Sequence, residues 1–427
     1  MERAVYQKLV EWKNRKARKP LVVNGARQVG KTWLLREFAR REYRQEAYVN
    51  CRRNELARQI FTKDFDVERI LRALRALTGV DITPSDTLII LDEIQDIPEA
   101  LEALKYFREE APDYHVAVAG SLLGISLHSN TSYPVGQVNE LNVYPMSFEE
   151  FLLANGKSEM LALLQDRDFS TMTLLHDKYV ELLRQYYYVG GMPEAVKCYV
   201  ETGALQEVRS IQLEILNGYE RDFSKHAPKE LVPRIRMVWK SIPSQLFKEN
   251  KKFIYGALRK GARAADFELA IKWLVDSGLV CQVHRCTKPA LPLSIYEDLS
   301  AFKLYLVDVG LLGAMVNADP VQILVANAAF TEYKGGMTEQ YVHQQMKSHG
   351  IEEVYYHKTD DSRLEIDFVI QRDAKLLPIE VKAEGNVRAN SLTNFLKCNP
   401  DIHAIRYSML PYKVQEQMTN VPLYAVR

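Results

Sequence analysis

The stretch Gly25-Ala26-Arg27-Gln28-Val29-Gly30-Lys31-Thr32 decides the fold of the N-terminal part of this chain. It fits G-x-x-x-x-G-K-[ST], follows the apolar run Pro20-Leu21-Val22-Val23 and precedes the helix-like Trp33-Leu34-Leu35-Arg36-Glu37-Phe38-Ala39. A glycine-rich turn between a buried strand and a helix N-terminus aims backbone N–H groups at a phosphate chain. Lys31 then reaches the β- and γ-phosphates, and the Thr32 hydroxyl ligates Mg²⁺. The pattern predicts a P-loop that holds ATP through these eight residues. A glycine loop that merely contains Gly-Lys-Thr is the plainer alternative, and the strand-then-helix context argues against it.

Downstream, Thr87-Leu88-Ile89-Ile90-Leu91 reads as a buried strand ending in Asp92-Glu93, the Walker B pattern. Asp92 is expected to hold Mg²⁺ and Glu93 to activate water for hydrolysis, unless the pair is only a solvated strand end. Between these motifs, Glu46–Cys51 reads as a strand and Val67–Leu77 as an amphipathic helix. Pro98–Glu110 follows as a helix with proline in its first turn, and His115–Ala119 as another buried strand. Alternating strands and helices predict an α/β fold with a parallel, doubly wound sheet. Ser121, just past the last strand, sits where P-loop ATPases of the additional-strand type place a polar sensor; an ordinary strand-end turn is the alternative.

With 427 residues, about three domains are expected. Hydrophobic residues make up 47% and charged residues 26%, the composition of a globular protein. The absence of a long apolar run and of a signal-peptide pattern points to the cytoplasm, with no membrane partner. The five cysteines are scattered without a C-x₂-C pair, so neither a disulfide framework nor a zinc site is indicated. The net charge of +1 excludes a strongly basic coat, but Lys229 to Lys288 holds thirteen Lys/Arg against five Asp/Glu. That segment is a candidate DNA-facing surface or a solvated basic one.

Residues 148–225 read as mostly helical, broken at Gly190-Gly191-Met192-Pro193, and residues 226–325 as short helices followed by two strands, Gly278–Val283 and Lys303–Val307. Helices followed by a β ribbon suggest a winged helix, used for DNA binding or for packing between domains. Nearer the C-terminus, Leu364–Ile370 and Leu377–Lys382 read as a hairpin around the polar turn Gln371–Lys375. With the turn centred between Asp373 and Ala374, Asp367 lies opposite Glu380 and Glu365 opposite Lys382 on one face, with Ile366, Phe368, Ile379 and Val381 on the other. Opposed carboxylates weaken a hairpin unless a cation lies between them. Mg²⁺ or Mn²⁺ suits that position, with Lys382 beside a phosphoryl centre and Glu339, on a helix opened by Thr338, completing the metal site. A cross-strand ion pair between Lys382 and Glu365 is the structural alternative.

Taken together, the chain resembles a bacterial and archaeal group of AAA-type ATPases that carry a C-terminal domain of unknown function with a restriction-endonuclease-like core. The resemblance rests on Gly25–Thr32, Leu88–Gln95, Ala119–Leu122, Tyr144–Phe151, Gly190–Pro193 and the Glu365–Lys382 hairpin. It implies an ATPase core over 1–147, a helical lid over 148–225, a winged-helix-like domain over 226–325 and an endonuclease-like domain over 326–427. It also implies that Gly191 and Pro193 touch the nucleotide base, unless they only break a helix. One departure stands out: relatives carry Gly-Arg before the Tyr-Pro-x-Ser-Phe segment, whereas this chain has Gly136-Gln137. Position 137 therefore supplies no arginine finger, and Arg27 or Arg221 would have to substitute. The expected activity is Mg²⁺-dependent ATP hydrolysis used as a switch. The rival expectations are a nucleotide-gated DNA nuclease and a non-catalytic scaffold for DNA or an unidentified protein.

Overall fold

The computed structural model describes residues 2–120, 134–248, 250–324, 331–361, 364–383 and 390–427. Ser121, the expected sensor, lies outside the described residues. The chain divides into two compact units, Met1–Tyr144 with Asp276–Gly278, and Pro145–Val275 with Leu279–Arg427.

In the N-terminal unit, β1 (Leu21–Asn24), β2 (Gln45–Asn50), β3 (Thr87–Asp92), β4 (His115–Ala119) and β5 (Asn139–Asn142) form one sheet in the order β2-β3-β4-β1-β5. Every pairing is parallel. All residues of β1, β3 and β4 are buried, as a parallel sheet covered on both faces requires. β4 lies between β1, which leads into the P-loop, and β3, which ends in Asp92, so the additional-strand arrangement is present. β5 escapes a sequence reading because only Leu141 of its four residues is buried, leaving no apolar run at this sheet edge. The helix Val67–Thr78 buries Val67, Ile70, Leu71 and Leu74 at helical spacing; the Asp66 side chain caps its start and Gly79 at φ +69° ends it.

The second unit opens with helices, among them Phe148–Ala154, His176–Val189, Pro193–Thr202, Leu205–His226 and Val232–Leu246. Its strands are β6 (Val280–Cys286), β7 (Glu297–Leu306), β8 (Tyr355–Lys358), β9 (Glu365–Arg372), β10 (Lys375–Lys382), β11 (Ala404–Ser408), β12 (Lys413–Val414) and β13 (Met418–Pro422). They form a single mixed sheet, β12-β13-β11-β10-β9-β8-β6-β7. The β6–β7 ribbon is therefore no separate wing: β6 pairs in parallel with β8 and joins the sheet that holds the β9–β10 hairpin. Residues 226–325 and 326–427 share that sheet, because strand partners distant in sequence leave no mark in local periodicity. Among the described residues, no helix is long and apolar enough to cross a membrane.

The hairpin has the expected register, with Lys375 opposite Arg372 and Ile379 opposite Phe368 around Asp373-Ala374. Both turn residues have positive φ, +50° and +56°, the backbone a two-residue type I′ turn needs. The expected alternation fails further along β9. Against β8, Tyr355 pairs with Val369 and His357 with Ile366, so two steps on one strand match three on the other. This β-bulge brings Ile366 and Val369 into one apolar cluster with Leu392, Phe395 and Leu396. The Phe368 ring instead stands 5.6 Å from that of Tyr305.

Candidate functional site

The P-loop joins β1 to the helix Lys31–Glu42. Gly25 is needed for space: a Cβ there would stand 2.3 Å from the Val143 carbonyl oxygen. Gly30, at φ +92°, caps the helix in the left-handed region that favours glycine. The Lys31 ammonium donates to the carbonyls of Gly25 at 2.9 Å and Ala26 at 2.8 Å. Burial lowers its pKa to about 8 against the opposing pull of Glu93 and Asp92. These two carbonyls keep the cation satisfied within its own loop.

Thr32 and Asp92, sixty residues apart, are brought into contact, the hydroxyl donating to the carboxylate at 2.8 Å. A hydroxyl beside a carboxylate is a hard-oxygen donor set that fits Mg²⁺. Glu93 follows at φ +53°, its amide donating to the other Asp92 oxygen at 3.0 Å and its carboxylate accepting from the Gln95 amide.

Two groups that the motifs do not announce complete the site. Tyr48 on β2 donates to the same Asp92 oxygen as Thr32, at 2.9 Å; burial, then the Asp92 bond, raises its phenol to about 12. Arg3 donates to the Val29 carbonyl at 2.8 Å and the Tyr144 carbonyl at 2.7 Å, pinning the loop to the strand exit. Asn50 pairs with Asp92 across β2 and β3, so Tyr48 is placed by register alone. No motif could have marked Arg3.

The second constellation is gathered as well, with partners the sequence did not supply. The buried Glu339 carboxylate accepts from Lys251, from the Tyr305 hydroxyl at 3.1 Å, and faces Lys303 at 3.6 Å. Lys303, with no exposure, also lies 3.0 Å from Glu365, whose other oxygen accepts from Lys358 at 2.9 Å. Asp367 accepts from the Val381 amide at 2.8 Å, and Glu380 pairs with Lys382 at 2.6 Å. Lys382 thus pairs with its neighbour on the strand and not with Glu365. Burial, with Glu339 and Glu380 nearby, pushes Asp367 well above the usual carboxylate range. Glu339 goes the other way, because Lys251 and Lys303 outweigh burial and lower it to about 2. Among the described residues, no three His, Cys, Asp or Glu side chains stand where they could jointly hold a metal ion.

Gly191 and Pro193 lie in the second unit. The Gly191 amide donates to Asp308 at 2.6 Å, and a Cβ there would meet the Met146 carbonyl oxygen at 2.2 Å. Pro193 begins the helix Pro193–Thr202. The fully buried Asp308 also accepts from the Leu311 amide at 2.9 Å and the Gln344 amide group at 3.0 Å.

Residues 17–152 match the family described as AAA domain. Residues 180–322 and 334–424 match two families described as domains of unknown function, DUF8612 and DUF4143. No curated protein matches the chain. Among solved structures, the chain is similar to the Walker-type ATPase PABY2304 of Pyrococcus abyssi at 14% identity, covering 73% of this chain and 94% of that one, with a TM-score of 0.45. It is also similar to the ORC1 protein of Aeropyrum pernix, solved in complex with DNA, at 15% identity, 75% and 94% coverage and a TM-score of 0.32. At such scores these likenesses decide nothing about the chemistry of this chain. The family match and the P-loop geometry together make residues 17–152 an AAA-type P-loop domain of the nucleotide-binding ATPase class.

Proposed function

We propose that the protein is a Mg²⁺-dependent AAA-type ATPase that uses ATP binding and hydrolysis as a switch acting on its C-terminal unit. The observation that carries this reading is the contact between Thr32 of the P-loop and Asp92 at the end of β3. It joins the phosphate-binding and acidic motifs in one oxygen site. In this reading Lys31 leaves its loop carbonyls for the β- and γ-phosphates, and the amides of residues 25–32 cradle the chain of phosphates. Thr32 and Asp92 would hold Mg²⁺, which when bound neutralises phosphate charge. Tyr48 keeps Asp92 oriented, and Glu93 accepts the proton of the attacking water. Gly191 and Pro193 offer no free backbone N–H to a nucleotide base, because the Gly191 amide donates to Asp308 and proline has none.

The C-terminal sheet with its β9–β10 hairpin supports an endonuclease-like module in a recognising role, binding DNA or a protein, with the basic 229–288 segment as its candidate DNA surface. DNA cutting by Glu339, Asp367, Glu380 and Lys382 is the second reading. It draws on the gathering of Asp367 and Glu380 and on the Glu380 Oε2 atom, buried without a partner among the described residues.

The test is Glu93→Gln. This variant should bind ATP with Mg²⁺ as the parent does and turn it over about 10²- to 10⁴-fold more slowly. Normal turnover would remove Glu93 from the mechanism.

A further inference from the structure

We infer that the carboxylate cluster of the endonuclease-like core takes its counter-charge from internal lysines, so that Lys251 and Lys303 occupy the place of a divalent cation and the module works without one. The inference deepens the recognising role proposed above and rests on reading the β9–β10 hairpin as an endonuclease-like core.

Geometry carries it. A hard divalent cation needs several oxygen ligands, usually six for Mg²⁺. Here most of the carboxylate oxygens are already used. Both Glu339 oxygens are engaged, one by Lys251 and the other by the Tyr305 hydroxyl, with Lys303 close by. Both Glu365 oxygens face ammonium groups, Lys303 and Lys358. Asp367 is turned to a backbone amide, and one Glu380 oxygen holds Lys382. Three of the four carboxylates, Glu339, Glu365 and Glu380, thus face four ammonium groups, those of Lys251, Lys303, Lys358 and Lys382, so the chain itself supplies the counter-charge without an added ion. Lys303 is the informative member. A lysine with no exposure is tolerated only when paired, and its ammonium lies between Glu339 and Glu365 with its charge over the Tyr356 ring, 4.8 Å from the centroid. Glu380 Oε2 is the acceptor left over, too little to hold a metal alone.

Local pattern alone suggests a metal between Asp367 and Glu380, because Lys251 and Lys303 lie 64 to 129 residues upstream of them and carry no motif. The structure brings in the same positive charge from the chain itself.

The experiment is a titration of the full-length, nucleotide-free protein with Mn²⁺ alone, followed by the electron paramagnetic resonance of free Mn²⁺. The parent should show no site that Glu380→Gln removes. Lys251→Met/Lys303→Met should gain one site, at least about tenfold tighter than any the parent has, and adding Asp367→Asn should remove it. A parent site abolished by Glu380→Gln overturns the inference, and so does a folded double variant that gains none. Should the double variant not fold, Lys251→Gln serves, since Lys251 lies at the rim of the cluster. Mn²⁺ should raise its melting temperature and leave that of the parent unmoved; no rise in the variant contradicts the inference. Cleavage of plasmid by the Mn²⁺-loaded double variant is scored separately. Its absence counts against the endonuclease-like reading, whereas the metal titration alone decides the role of the lysines.

Discussion

The P-loop and the carboxylate–lysine cluster are both polar sites built at strand ends, and they resolve the same difficulty in opposite ways. In the P-loop, Lys31 is satisfied by two carbonyls of its own loop, and the Thr32 hydroxyl by one carboxylate oxygen. A phosphate and a metal can take those places without stranding a buried charge. In the cluster, Glu339 and Glu365 share the fully buried Lys303, so any exchange there leaves a charge uncompensated. A site that receives a ligand keeps replaceable internal bonds, whereas one completed by the chain closes on itself.

The comparison is broken most severely by Lys303→Met. Removing one partner from a buried ion-pair network costs about 3–5 kcal/mol, and chemical denaturation should show a loss of that order for the C-terminal unit. A loss below about 1 kcal/mol, typical of exposed pairs, would mean that the cluster is loosely hydrated. Exposed Arg36, paired with Glu46 at 2.7 Å in the other unit, is the contrast: Arg36→Ala should cost under about 1 kcal/mol.

Glycines sharpen the comparison at the next level. At both Gly25 and Gly191 an added Cβ would collide with a backbone carbonyl, so alanine at either should cost about 1–3 kcal/mol. The consequences should divide by region. Gly25→Ala should weaken ATP binding, and Gly191→Ala should lower the melting temperature with ATP affinity intact. Weakened ATP affinity in a folded Gly191→Ala protein would restore the base-contacting role.

Acid should strain both regions in the same direction. Burial lowers His115 to about 4 in the N-terminal unit and His343 to about 3 in the C-terminal one, from an ordinary value of 6.5. Each folded unit holds a neutral imidazole, and the unfolded chain takes up a proton near pH 6.5. This stability is fully present above that pH and is lost as pH falls through about 4 and then 3. The melting temperature should therefore fall steadily below pH 6.5, less so in His343→Gln. A smaller effect is expected for Tyr48→Phe, which removes one hydrogen bond to Asp92 and should weaken Mg²⁺-ATP binding by about 1 kcal/mol, or roughly fivefold.

Legibility in the sequence follows the same divide. The P-loop could be read because its chemistry sits on consecutive residues, and the acidic strand because Leu88–Leu91 is a continuous apolar run. The hairpin register could be read because its turn is two residues long, which ties the pairing to the sequence. The bulge in β9, the union of β6 and β7 with the C-terminal sheet, and the arrival of Lys251 and Lys303 beside Glu339 depend on contacts between distant segments. Arg3 and Tyr48 were hidden for the same reason: they act through long-range hydrogen bonds, Arg3 on residues 26 and 141 positions away and Tyr48 on one 44 positions away.

The most direct test of the account is calorimetric titration of the full-length protein with ATP and Mg²⁺, beside Lys31→Ala. The parent should bind one ATP per chain, and the variant should bind at least about 100-fold more weakly, the loss expected for charge-assisted bonds to phosphate. Equal affinity in the two proteins would contradict the assignment of Gly25–Thr32 as the nucleotide site.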